Sequence, residues 1–185
     1  MAKKILVITD AQNEFISGVL GNKECEAAVP NIVAAIKSGE YQKVVVTQDT
    51  HDENYLNTQE GKRLPVLHGQ PGTEEYQIHP DIVMALKENF KDEDVIVVKK
   101  PTFGSTDVGK VLQQLWCEMA IDGSEVEIYF TGFCTGICVI SNVVIAKTFC
   151  PEARVCVIAD ACACVTPETH KTALDAMKTF QVDIM

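Results

Sequence analysis

Short runs of β-branched and other apolar residues alternate along the chain with longer stretches in which apolar residues recur every three or four positions. The runs Ile5–Ile8, Val44–Thr47, Val95–Val98, Val126–Phe130 and Val155–Ile158 predict buried strands, and Val182–Ile184 a weaker sixth. Helices are expected over Cys25–Ser38, Pro80–Asn89, Thr106–Met119, Gly136–Phe149 and Pro167–Phe180. The last of these has Thr166 as its N-cap candidate and Pro167 at the first helical position. Strands that are apolar on both faces and alternate with helices predict a parallel sheet covered on both sides.

That topology makes a sharper statement, because ligands of open α/β sheets bind beyond the carboxyl ends of the strands. Asp10 follows the first strand, and Asp49 and His51 follow the second. Lys99 and Lys100 end the third, Cys134 and Cys138 follow the fourth, and Asp160 follows the fifth. Reactive side chains are therefore expected along one edge. The longest irregular stretch, Asp49 to His79, is polar and contains Gly and Pro; so long a loop in a compact domain is usually functional.

The chain has 185 residues and is expected to form one domain, 1–185. A net charge of -10 argues against nucleic acid or an anionic membrane as partner. No window approaches the roughly 20 continuous apolar residues of a membrane span. The apolar run before Asp10 is too short for a signal peptide, so a cytoplasmic location is expected. There the eight cysteines stay reduced, and most should pack as small hydrophobes.

Two of them stand apart, in "FTGFCTGICVISN" over residues 130–142. The segment reads as strand, glycine-containing turn and helix, with Cys138 in the first helical turn. Unpaired N–H groups and the helix dipole there favour an anion and should lower the thiol pKa. The same amides, with that of Cys134, can hold an oxyanion. Packed thiols are the ordinary outcome for free cysteine, and a lone Cys-x3-Cys is weak support for zinc. A nucleophile gains because Asp10 can accept a proton and a lysine at 99 or 100 can hold the charge. Asp49, His51 and His68, with Glu60 between them, form a second constellation. Spacing i, i+2 at a strand end points Asp49 and His51 the same way, and the donor set suits zinc, iron or manganese.

On these segments the chain resembles the isochorismatase-like cysteine hydrolases, and among them the nicotinamidases, over nearly its whole length. The resemblance implies a Rossmann-like three-layer α-β-α fold with a six-stranded, mainly parallel sheet. "LVITDAQNEF" is similar to the family's opening strand and implies a catalytic Asp10. "VVKKPTFGS" resembles the lysine segment, whose register selects Lys100 over Lys99, with Phe103 as the aromatic residue three positions on. "GFCTGICV" resembles the nucleophile turn, implying Cys138 as the attacking thiol, a cis peptide between Phe133 and Cys134, and oxyanion donors at Cys134 and Cys138. "TQDTHDENY" and "LPVLHGQPGT" imply metal ligands Asp49, His51 and His68. Asn57 stands where many nicotinamidases have another histidine, and Glu60 is the candidate replacement. A divalent metal is therefore expected, zinc first.

Two further departures are Gly136, where the family usually has aspartate, and Cys164, where glycine is usual. Phe15 and Phe103 are candidate pocket walls. The expected reaction is hydrolysis of a small-molecule amide, nicotinamide to nicotinate and ammonia, through a thioester. Another amide, ureido or carbamoyl substrate is the alternative, and a catalytically idle binding protein a second. A homo-oligomer fits a compact α/β enzyme, although no patch declares one.

Overall fold

The computed structural model describes residues 2–185. Six strands form one sheet: β1 (Lys3–Thr9), β2 (Lys43–Asp49), β3 (Val95–Lys100), β4 (Val126–Phe133), β5 (Arg154–Ala163) and β6 (Asp183–Ile184). Their order is β3-β2-β1-β4-β5-β6 and every pairing is parallel. The helices are α1 (Asn13–Ile16), α2 (Lys23–Lys37), α3 (Pro80–Asn89), α4 (Thr106–Met119), α5 (Ile140–Phe149) and α6 (Pro167–Lys178).

Strand side chains alternate between two cores, as a period of two requires. Ile5, Val7, Val45, Ile128 and Phe130 pack with Val108 and Leu112 of α4, Val143 of α5 and Met177 of α6. Leu6, Ile8, Val44, Val46 and Tyr129 pack with Ile32 and Ile36 of α2 and Ile82 of α3. Three layers result, with the sheet between two layers of helices. β3 is an edge strand, and its Val97 and Lys99 face solvent.

The strand order reverses between β1 and β4, which places the ligand crevice at the carboxyl ends of those two strands. The chains come close there. A Cβ on Gly132, whose φ is +105°, would lie 2.0 Å from the carbonyl oxygen of Thr9. Glycine is required at that position by both its conformation and its neighbour.

The sequence pattern and the structure differ mainly at element ends. α6 begins as expected, with Thr166 accepting from the Thr169 amide and Pro167 inside the first turn. β5 continues from the predicted Ile158 to Ala163, where small residues pair with the end of β4. The helix expected from Gly136 opens instead as a wider turn over Thr135–Val139, with the amide of Val139 donating to the carbonyl of Cys134 at 3.1 Å. Asp160, expected beyond a strand end, lies within β5 and is exposed. No helix among the described residues is long and apolar enough to cross a membrane.

Candidate active site and metal centre

Asp10 follows β1 with a φ of +46°, a left-handed conformation that aspartate tolerates better than most residues. Thr47 of β2 holds it on both sides. The Asp10 amide donates to Thr47 Oγ1 at 3.1 Å, and that hydroxyl donates to Asp10 Oδ1 at 2.6 Å. The carboxyl group is fully buried. Burial, together with the nearby Asp49 carboxylate, pushes its pKa up, against the pull of Lys100 and Thr47.

Lys100 is the buried member of its pair and Lys99 the exposed one, because alternate residues of β3 face opposite sides. Its Nζ lies 2.6 Å from Asp10 Oδ2 and 3.3 Å from Asp49 Oδ1, and donates to the carbonyl of Thr102 at 3.1 Å. Burial would depress the lysine pKa, but the carboxyl groups of Asp10 and Asp49 outweigh it and keep the ammonium charged. Asp10 Oδ2 meets the Lys100 ammonium as a fully buried ion pair.

Cys138 is 8% exposed, in the wide turn between β4 and α5. Burial first, and then the Asp10 carboxylate, push its thiol well above the usual range, while Lys100 pulls it down. This corrects the expectation of a thiolate stabilised at a helix terminus: the turn is not a regular first helical turn, and desolvation dominates. Burial thus favours the protonated form of both members of the pair. The Phe133–Cys134 peptide is cis, at the position the resemblance implies.

The second constellation is assembled from β2 and the long loop. Asp49, His51 and His68 are buried, and one potential ligand atom from each lies within 4.8 Å of the others. Nε2 of His51 is 3.1 Å from Asp49 Oδ2, and Nε2 of His68 is 3.3 Å from the same oxygen. Nδ1 of His68 is 2.8 Å from the Val66 carbonyl, which can only accept, so Nδ1 carries a proton. When both ring nitrogens are protonated Nε2 donates to Asp49, which raises the His68 pKa; loss of that proton turns the Nε2 lone pair toward the carboxylate, where a cation would sit. The residues fit a divalent metal. Glu60 Oε1 stands 3.8 and 3.9 Å from the two imidazoles, beside the cluster and half-buried. Burial pushes Asp49 up, but its bonds to His51 and His68 and the Lys100 charge hold it below the usual carboxylate range.

Several supports escaped the sequence reading. Tyr55 is buried, with its ring centroid 4.5 Å from that of His51 and 4.8 Å from that of His68. Gln12 clamps Asp49, accepting from its amide at 2.6 Å and donating to its carbonyl at 3.1 Å. Glu14 accepts from Gln12 and from the Gly69 amide, and burial pushes its pKa up to about 7. Buried polar residues close behind a strand tip are the available signal for Gln12 and Glu14. For Tyr55 there was none.

The two candidate walls differ. Phe15 is half-buried, edge-on to His68 with ring centroids 5.8 Å apart, whereas Phe103 is 45% exposed on the loop after Lys100. Asn57 is exposed, and its side chain donates to Asn54. Gly136 and Cys164 turn out to be neighbours: a Cβ at 136 would lie 3.4 Å from Cys164 Sγ. The side chain present at 164 occupies space beside the one absent at 136.

The isochorismatase domain model matches residues 4–185, and the chain belongs to the isochorismatase family of hydrolases. No curated protein matches the sequence. Among solved structures, nicotinamidase/pyrazinamidase from Bacillus subtilis is 23% identical, with 98% of each chain covered and a TM-score of 0.80. Pyrazinamidase of Pyrococcus horikoshii, solved in complex with zinc, is 21% identical, with 99% of this chain and 98% of that one covered and a TM-score of 0.72. N-carbamoylsarcosine amidase from Thermoplasma acidophilum is 19% identical, covers 98% of this chain and 95% of its own, and has a TM-score of 0.70. At these identities the likeness is one of fold, and fold alone does not choose the substrate.

Proposed function

We propose that the chain is a cysteine-dependent amidohydrolase of the nicotinamidase type, converting nicotinamide to nicotinate and ammonia. The observation that carries this reading is the double engagement of Asp49. One of its oxygens touches Lys100 of the acid–ammonium–thiol group, and the other faces His51 and His68. A substrate bearing an amide and a ring nitrogen would reach both halves.

In this reading the Cys138 sulfur adds to the amide carbonyl while its proton passes to the Asp10 carboxylate. Lys100 stays charged and holds Asp10 in place. The backbone amides of Cys134 and Cys138 receive the oxyanion. Asp10 returns the proton to departing ammonia, leaving a thioester, and then takes a proton from the attacking water. Asp10 hands that proton to the sulfur as it is expelled, restoring the thiol, and the acid product loses its own proton to solvent as the carboxylate. Asp49, His51 and His68, with Glu60 alongside, would hold a divalent metal, which when bound supplies a Lewis-acid site for a pyridine nitrogen.

A second reading, hydrolysis of a carbamoyl or ureido substrate, is favoured by the likeness to the carbamoylsarcosine amidase fold. Ammonia release from a panel of amides, nicotinamide included, tests both readings, with and without chelator and with Cys138→Ala as control. Nicotinamide should be the best substrate and chelation should slow it. Turnover of a carbamoyl substrate alone, indifferent to chelator, would replace the first reading by the second.

A further inference from the structure

Asn142 lies in the first turn of α5, four residues past Cys138, and is fully buried. Asparagine is a poor residue for a helix interior, and a buried carboxamide is costly unless bonded. This one is bonded in three directions. Its Nδ2 donates to the Cys138 carbonyl at 2.9 Å and to the Phe103 carbonyl at 3.1 Å, and its Oδ1 accepts from the Ser105 amide at 3.1 Å. Both donors and one acceptor position are used.

The partners belong to two segments far apart in sequence. The loop from Lys100 to Ser105 is tied at its start by the Lys100 ammonium on the Thr102 carbonyl, and across its middle by Thr102 Oγ1 donating to Gly104 at 2.7 Å. Its far end is tied to Asn142, just before Ser105 caps α4 through the Asp107 amide. The loop also lies directly on α5: a Cβ at Gly104 would come within 3.0 Å of Ser141 Cβ and 2.8 Å of Ile145 Cδ1. We infer that Asn142 is a positioning residue, whose single carboxamide fixes the turn carrying Cys138 against the loop carrying Lys100 and Phe103. The inference rests on the roles proposed above for Cys138 and Lys100. Threonine at 142 would still reach the carbonyl four residues back, but is too short for Phe103 and Ser105.

Steady-state kinetics of Asn142→Thr on the amide that the wild-type chain hydrolyses best provide the test, with hydrogen exchange of the 101–105 segment measured alongside. The Ser105 amide should exchange faster and kcat should fall on the order of 100-fold, with KM held, so that kcat and kcat/KM drop together. Metal stoichiometry should not change. Faster exchange with wild-type kcat would make Asn142 merely structural and overturn the inference. Should Asn142→Thr fail to fold, Thr102→Val loosens the same loop from its exposed side. A several-fold fall in kcat is expected there, and wild-type kcat again overturns the inference. A wild-type chain inactive on every amide would sink the proposed function and this inference together. An active wild type with indifferent variants would sink the inference alone.

Discussion

The ammonium of Lys100 lies 3.3 Å from Oδ1 of Asp49, and that contact joins two chemically different groups of residues into one buried unit. On one side Lys100 meets Asp10, and on the other Asp49 meets two imidazoles. When both carboxyl groups are ionised they outnumber the one ammonium, and a divalent cation at the histidines would offset that excess independently of any substrate.

Lys100 is therefore expected to matter to stability as well as to chemistry. Lys100→Met leaves Asp10 and Asp49 buried without their shared cation, and breaking such an arrangement costs about 3–5 kcal/mol. Urea titrations of chelator-treated protein should show that loss at neutral pH. It should shrink on mild acidification, because Asp10, already raised by burial, then takes up a proton and sheds its charge. A variant as stable as the wild type at neutral pH would mean that water or rearrangement hydrates the carboxylates.

The pH dependence of kcat/KM follows from the directions of the two shifts. Asp10 must be ionised to accept the thiol proton, and its pKa is raised, so activity should disappear on acidification at a pH above its ordinary 3.8. The Cys138 thiol is raised too, so its proton is retained through neutral pH and lost only in alkali. A plateau bounded by two apparent values that belong to the pair is expected. Asp10→Asn should lower the plateau by about 10²–10⁴-fold. A rate climbing steadily through neutral pH toward the thiol range would instead indicate a preformed thiolate.

Much of this was legible because chemistry follows strand ends. Short continuous runs of apolar, β-branched residues located the strands, and the parallel-sheet rule turned five of their ends into a short set of reactive residues. The alternation along β3 explains physically why Lys100 is buried and Lys99 is not. What stayed hidden depends on contacts between distant segments. Nothing local in "YLN" marks Tyr55 as the partner of two histidines, and nothing in "ISNVV" marks Asn142 as a bridge to residues 103 and 105. The thiol pKa is raised and not lowered because a helix terminus acts locally, whereas desolvation is set by everything packed around the sulfur.

Tyr55 is expected to tune the metal site without touching the metal. Its ring packs against both imidazoles, and its hydroxyl donates to the Leu64 carbonyl at 3.0 Å, fixing the loop that carries His68. Tyr55→Ala should weaken zinc affinity about 10–100-fold, the range seen when groups that orient metal ligands are removed. Competition with a chromogenic chelator measures it. Tyr55→Phe, which keeps the ring and loses only the hydroxyl, should lie close to wild type. Equal affinities for all three proteins would show that the histidines hold their positions unaided.

Gly132 offers a test of the crevice between β1 and β4 that involves no reactive group. Gly132→Ala places a methyl group 2.0 Å from the Thr9 carbonyl oxygen, one residue before Asp10, on a backbone with φ of +105°. Gly39 is the natural control: its φ is +72°, but a Cβ there meets nothing within 4 Å. Gly39→Ala should cost only the left-handed conformation, about 1–2 kcal/mol. Gly132→Ala must also push the paired ends of β1 and β4 away from each other, and should cost more than about 4 kcal/mol, at the exceptional end of single substitutions. Thermal unfolding of the two variants side by side separates these contributions. If their losses match, the strand ends can yield by about an ångström without penalty, and the crevice is softer than its packing indicates.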